Sequence, residues 1–372
     1  MFTLSCKHSA NVTITGSLDS AEGTIVKIED ANHPIAYDST TVKNGKFNLT
    51  ISLPDEGFYE LVFYTQTPAS DKGRWVHQIV FYAENLKKHV FSANGPTALS
   101  YNYNWQSSSY NQNKLKEFNA LVKLKRDTLQ HKRKYYLNEA DKALNADKNI
   151  VYNAYLDSAT KAEDEIRNAY LYATHQFIRS NPNTVVTPYL ITEVYDMFEN
   201  YALYKKAMAT LSPIAKNNKY YKEADALLQS AQKINIGTVI PQLAGKTLNG
   251  SDFKMNYTGK KIILLDFWAS YCAPCRQQIP DMKKLYDQYK NKGFDIISVS
   301  IDEDPLKWGR ASKQDSIPWH NIAELTDQSN SKNIKNFVVK SIPANYVLNN
   351  KGELIGRNVE LDSLEKILKK IK

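Results

Sequence analysis

Cys272 and Cys275 stand with two residues between them, and their type and spacing suit redox chemistry. They lie in Trp268-Ala269-Ser270-Tyr271-Cys272-Ala273-Pro274-Cys275, after the apolar run Ile262-Ile263-Leu264-Leu265 and before a helical pattern. The apolar run reads as a buried strand. A Cys-x-x-Cys at a strand-to-helix junction lets one sulfur act as a low-pKa nucleophile while the other resolves the mixed disulfide. Cys272 falls at the first helical turn, beside unpaired backbone N–H groups and the positive end of the helix dipole. It is the expected nucleophile, since such cysteines have pKa values lowered to roughly 3.5–7.5. Cys275, one turn further in, is the expected resolving thiol. Pro274 suits the first turn because its missing N–H has no partner to lose there, and the pair Ala273-Pro274 tunes the redox poise. Two plainer readings compete: a purely structural disulfide, and a zinc knuckle. The knuckle needs two more ligands, and the only local histidine is His320.

These cysteines need a scaffold, and the chain alternates β and α from Gly237 onward. Strands are expected at Ile262–Phe267, Phe294–Ile301, Ala344–Leu348 and Leu354–Val359. Helices are expected from Pro274 to about Gly293, near Leu306–Asp315 and Ser331–Phe337, and at Leu361–Ile371. This alternation argues for a mixed sheet covered by helices. Residues 11–95 instead carry short alternating strands, with Thr41–Ile51 folded about Asn44-Gly45, a strong hairpin signal. They read as an antiparallel β-sandwich. Residues 96–110, rich in Asn, Ser and Tyr, read as a connecting loop. From 111 to 235 the period becomes helical, with Leu115, Phe118, Leu121/Val122, Leu129 and Tyr136 along one face. The expected layout is therefore 1–10 as a tether, 11–95 as a β-sandwich, 96–235 as a helical region and 236–372 as an α/β domain.

Composition narrows the function classes. The 372 residues are 42% hydrophobic and 11% aromatic, which suits packed domains. With three cysteines, Cys6, Cys272 and Cys275, a disulfide scaffold and a four-cysteine zinc site are excluded. No run approaches the roughly 20 apolar residues needed to span a bilayer. The net charge of +9 is concentrated beyond residue 110. Its densest run, Lys123, Lys125, Arg126 and Lys132-Arg133-Lys134, is interrupted by acids and apolar residues and reads as a solvated helix face, not a nucleic-acid surface. His77 and His89 have no partner spacing for a metal site.

Residues 237–372 resemble the thioredoxin superfamily over essentially their whole length. The resemblance rests on Asp266-Phe267-Trp268-Ala269 before the cysteines, Pro280 five residues after Cys275, Ser341-Ile342-Pro343 before an apolar strand, and the Gly352 turn with Gly356. The segment Asp302–Asn321, with Trp308 and Ile317-Pro318-Trp319, looks like the insert of the extracytoplasmic TlpA/ResA branch. The resemblance implies a cis peptide before Pro343, and the backbone of Ile342 then available to pair with a substrate strand. It implies that Asp266 relays a proton to or from Cys275, with a pKa raised by burial. Many TlpA/ResA-like proteins instead carry Asn at this strand position and Glu three residues past the second cysteine, where this chain has Gln278. Trp268 and Tyr271 are expected to form an apolar rim for partner docking. Arg276 is expected either to hold the thiolate charge or to be an exposed solubilising residue. A peroxiredoxin, the nearest rival in fold, wants Thr where Ala269 stands.

Leu4-Ser5-Cys6, followed by polar Lys7 to Asn11, resembles the end of a bacterial lipoprotein signal, with Cys6 as the lipidated residue. The whole layout resembles disulfide-interchange lipoproteins of Bacteroidetes, whose β portion has an uncertain role. These resemblances imply an envelope protein facing the periplasm. Its partners would be extracytoplasmic protein thiols and disulfides, such as apocytochrome c or a metallochaperone, with membrane contact through Cys6. It would need no cofactor beyond the Cys272–Cys275 disulfide, and would act as a reductant. A different class of protein, a binding or assembly lipoprotein working through residues 11–235, would keep its role with both cysteines replaced by alanine.

Overall fold

The computed structural model describes residues 9–30, 35–66, 74–95, 99, 103–146 and 148–371. Cys6 and most of the expected tether lie outside the described residues. The chain packs into two compact units, one comprising the chain to Leu190 with Thr210–Asn217, the other Ile191–Ala209 with Asn218–Lys372. The helical segment 96–235 therefore divides between the units.

The first unit is built on two four-stranded sheets. One contains β1 (Ala10–Leu18), β4 (Lys46–Leu53), β7 (Lys88–Ala93) and β8 (Tyr103–Ser107), in the order β4-β1-β7-β8. The other contains β2 (Ile25–Asp30), β3 (Ala36–Thr41), β5 (Gly57–Gln66) and β6 (Arg74–Ala83), in the order β3-β2-β5-β6. Alternate residues of β1 and β4 are buried, and Val12, Ile14, Leu49, Ile28, Leu61 and Phe63 meet in one core. Such alternation lets each sheet bury one face against the other. The sandwich is not wholly antiparallel, because β1 pairs with β7 in parallel. Asn44 and Gly45 both take positive φ, as a two-residue turn requires. The expected hairpin does not extend from it, since β3 pairs with β2 while β4 pairs with β1, so the turn carries the chain from one sheet to the other.

The expected loop at 96–110 contains β8. Trp105 is buried there and its Nε1 donates to Nδ1 of buried His89, 3.2 Å away. Asn and Gln, poor strand formers, mask this strand in the sequence. Burial lowers the His89 pKa to about 4, in keeping with a core histidine. Gly16 lies opposite Phe47 in the β1–β4 ladder, and a Cβ there would sit 2.1 Å from the Phe47 ring. Gly16→Ala is therefore expected to destabilise the sandwich by about 1–3 kcal/mol, read as a lower denaturant midpoint. An unchanged midpoint would mean that Phe47 can move aside freely.

Helices α1 (Tyr110–Asn145) and α2 (Asn149–Ser180) are joined by a short connection and pack along each other, as such a connection favours. Leu115, Phe118 and Val122 face inward from α1, whereas Leu121 is exposed. Beyond Asn181-Pro182, the chain forms α3 (Val186–Thr192), α4 (Tyr201–Thr210), α5 (Pro213–Lys216) and α6 (Lys219–Lys233).

The second unit holds a six-stranded mixed sheet. Its strands are β9 (Lys246–Thr247), β10 (Ile262–Trp268), β11 (Phe294–Ser300), β12 (His320–Ala323), β13 (Ala344–Asn349) and β14 (Leu354–Arg357), in the order β14-β13-β10-β11-β12-β9. β10, β11 and β12 run parallel, and β13 is antiparallel to β10. The parallel neighbours are joined by crossover helices α7 (Ala273–Tyr289) and α8 (Pro305–Gln314). β10 and β11 are buried at every residue, as central strands covered on both faces must be. Alternation divides β10 between the two faces. Ile262 and Leu264 pack with Ile279, Met282 and Leu285 of α7, while Phe267 turns the other way, onto Phe337 and Tyr346. Asp266 and Trp268 continue the α7 face. Helices α9 (Lys332–Phe337) and α10 (Leu361–Leu368) belong to the same unit, as does α6.

Candidate active site

Helix α7 begins at the cysteines. Cys272 is its N-cap, with extended backbone, and its Sγ accepts a hydrogen bond from the Cys275 backbone N–H at 3.2 Å. Pro274 occupies the first turn, where no N–H is needed. Cys272 and Cys275 are disulfide-bonded, with Cα atoms 5.3 Å apart. Both are buried, at 7% and 3% exposure, whereas Ala273 and Pro274 are exposed. The amide that contacts Cys272 Sγ is one of the orphan donors at the start of a helix, so the same geometry favours a thiolate once the disulfide opens.

The Ile342–Pro343 peptide bond is cis, as the resemblance implied. Ile342 packs against the cluster containing both cysteines, Trp268 and Trp308. Its backbone N–H and C=O have no hydrogen-bond partner among the described residues. Beside it opens a cavity of about 130 Å³ whose lining includes Tyr271, Ile301, Gln328, Ile334 and Ile342. Tyr271 is 63% exposed, and its hydroxyl accepts from Gln328 Nε2 at 3.0 Å. The sulfurs are thus followed by an unpaired peptide group and a hollow in which Ile301, Ile334 and Val339 alternate with Tyr271, Gln328, Lys340 and Ser341.

Trp268 does not belong to that rim. It is 1% exposed, and its Nε1 donates to Asn321 Oδ1 at 3.1 Å. Trp308 Nε1 donates to the same oxygen at 3.2 Å, and Asn321 Nδ2 is held by Ser312 Oγ. Trp268 lies on the inward, α7-side face of β10, so the expected docking role fails on strand alternation. Arg276 is engaged elsewhere, by Asp315, Gln314 and the Ser270 carbonyl. Its Nε and Nη2 form a bidentate pair with Asp315 at 2.7 and 2.9 Å.

Asp266 is 6% exposed and accepts from Ser298 Oγ through Oδ2 at 3.2 Å. Burial raises its pKa to about 7, while the Ser298 hydrogen bond acts in the opposite direction. Strand alternation puts it between Leu264 and Trp268, which pack respectively with α7 and with the cysteine cluster. Gln278, at the position where related proteins carry Glu, is exposed on α7.

Several supporting residues escape the motif reading. Asp302 is buried and accepts from both the N–H and the hydroxyl of Ser270, at 2.8 and 2.6 Å, fixing the turn before Cys272. Ser298 and Asn321 lie in β11 and β12. Their only sequence signal is a polar residue inside an apolar strand, which requires a partner when buried. Among the described residues, no cluster of three His, Cys, Asp or Glu side chains could hold a metal, and no helix is long and apolar enough to cross a membrane.

A helix that starts on one sulfur of a bonded pair and lies on a mixed sheet beside a cis-proline loop is the arrangement of a thioredoxin-like domain with a thiol–disulfide oxidoreductase site. Residues 259–354 match the family described as thioredoxin-like, and residues 12–104 match a domain of unknown function, DUF4369. The chain is similar to the thiol-disulfide oxidoreductase ResA of Bacillus thuringiensis subsp. konkukian, at 28% identity over 144 residues, covering 38% of this chain and 80% of that protein. It is also similar to ResA of Geobacillus kaustophilus, at 23% over 142 residues, covering 37% and 79%. Among solved structures, a thiol-disulfide oxidoreductase from Bacteroides fragilis aligns at 26% identity with a TM-score of 0.34, covering 36% of this chain and all (100%) of that one.

Proposed function

We propose that the chain reduces disulfides in extracytoplasmic protein partners. Cys272 is the nucleophile, Cys275 the resolving thiol, and Asp266 the group that exchanges a proton with Cys275. The observation that carries this reading is Cys272 at the N-cap of α7, bonded to Cys275 one turn along. In the reduced protein, the Cys272 thiolate attacks one sulfur of the partner disulfide, forming a mixed disulfide and releasing the other partner sulfur as a thiolate. The Cys275 thiol gives its proton to the Asp266 carboxylate and attacks Cys272 Sγ. This restores the Cys272–Cys275 disulfide and frees the second partner sulfur. Two electrons pass to the partner, and protons from Asp266 and solvent complete its two thiols. The unpaired peptide group of Ile342 receives the substrate strand by β-augmentation, with Tyr271, Ala273 and Pro274 along its path. The similarity to ResA proteins and the lipoprotein-like Leu4-Ser5-Cys6 support a periplasm-facing, lipid-anchored placement, with maturation of cytochrome c as one setting for the reduction.

The direction is tested by equilibrating the protein with glutathione buffers. A potential near ~−270 mV marks a reductant, and one near ~−120 mV an oxidant and the end of this reading. Failure of the reduced protein to open any model protein disulfide, such as those of insulin, would remove the enzymatic reading altogether.

A further inference from the structure

The face of β10 below the cysteines contains a hydrogen-bond chain that the exchange chemistry alone does not require. Trp319 Nε1 lies 2.9 Å from Ser298 Oγ, and Ser298 Oγ lies 3.2 Å from Asp266 Oδ2. All three residues are buried, at 7%, 1% and 6% exposure. An indole N–H can only donate, so Ser298 Oγ accepts from Trp319, and its own proton is left to point at Asp266. The direction of the chain is thus fixed by Trp319. Trp319 is itself held edge-on against Tyr286 of α7, with ring centroids 5.3 Å apart. We propose that Ser298, oriented by Trp319, is a positioning residue for proton exchange at Cys275: it occupies Oδ2 of Asp266 and leaves Oδ1 as the oxygen that takes and returns the proton. This rests on the reading of Asp266 as the proton-exchanging group.

The surroundings leave Ser298 as the polar group that can act on this carboxyl. From β13, Asn345 stands opposite Asp266 in the ladder, but its amide is committed to the backbone of Val359. From α7, Cys272 and Cys275 cap the cluster above, and Arg276 turns away to Asp315. From α10, the packed side chains are Leu364 and Leu368. Asp302, beyond the end of β11, is engaged by Ser270 and Ser300. Buried Asp266 thus has no charged neighbour that raises or lowers its proton affinity, and the hydroxyl of Ser298 is the one hydrogen-bond contribution besides burial. A donor aimed at a carboxyl favours its ionised form.

Ser298→Ala is therefore expected to move the Asp266 titration, followed by carbon NMR of the labelled carboxyl in the oxidised protein, upward by about one pH unit, as loss of a hydrogen bond to a charged group implies. The pH midpoint of the resolving step should rise with it. Ser298→Thr, which keeps the hydroxyl, should restore the parent midpoint. Trp319→Phe, which keeps the ring against Tyr286 but removes the N–H, should shift the midpoint upward by less than Ser298→Ala. Asp266→Asn is the reference and should erase the inflection. An unmoved midpoint in Ser298→Ala, with the inflection erased in Asp266→Asn, overturns the role of Ser298 and leaves that of Asp266 standing. An inflection that persists in Asp266→Asn removes both.

Discussion

Replacing Cys275 by serine is expected to turn the protein into a trap. Cys272 keeps its place at the N-cap of α7 and the amide of residue 275 still donates to its sulfur, so attack on a partner disulfide proceeds. The mixed disulfide then has no neighbouring thiolate to displace it, and turnover stops after one cycle. Covalent adducts on Cys272 should accumulate to stoichiometry, and mass spectrometry would identify the bound partner. Cys272→Ser should instead fall to the uncatalysed background and trap nothing. Adducts forming equally on Cys275 when Cys272 is absent would reverse the assignment of roles. The physical asymmetry is that one sulfur sits where a helix offers unpaired N–H groups and the other sits a turn inside, where those groups are already bonded.

Asp266→Asn is expected to stabilise the oxidised protein at pH 8, because the parent must ionise a buried carboxyl there. The folded pKa is raised from 3.8 to about 7, so between these values the native state holds a proton that the unfolded state has lost. Stability should therefore fall as pH rises through this window and level off above it. The full window corresponds to about 4 kcal/mol at 1.36 kcal/mol per pH unit, and Asn removes that penalty. Denaturant midpoints of parent and variant should diverge from pH 4 to about pH 7 and hold their separation above it, with the variant higher at the alkaline end. Parallel curves would mean that Asp266 is solvated in solution and not poised near neutrality. The same substitution should slow the resolving step while sparing the initial attack by Cys272, since only Cys275 needs a local proton acceptor.

The sequence by itself determined the centre of this protein. A buried strand, a Cys-x-x-Cys and a helical pattern in succession place one sulfur at a helix start, because strand period, helix period and capping are set by residues close in the chain. The order of elements from Ile262 to Leu368 was legible for the same reason, except for β12 at His320–Ala323, which no expected strand covered, while the cis bond before Pro343 came from the resemblance of separated motifs to the thioredoxin superfamily. The hidden strand Tyr103–Ser107 was not, because Asn and Gln obscure its alternation and its stability comes from the distant His89 and Phe91.

Only the tertiary structure decided what surrounds the sulfurs. Trp268 looked like a docking surface from its place beside the motif, but it is committed to Asn321, 53 positions away. Arg276 adjoins Cys275 in sequence yet spends its charge on Asp315. Ser298 drew no notice within its apolar strand, and is the donor to Asp266 because β10 and β11 pair in register. Periodicity reports which face a side chain occupies, whereas the hydrogen-bond partner on that face depends on which strand lies alongside and at what offset. That offset is fixed by the packing of the whole sheet and is written in no local stretch of the chain.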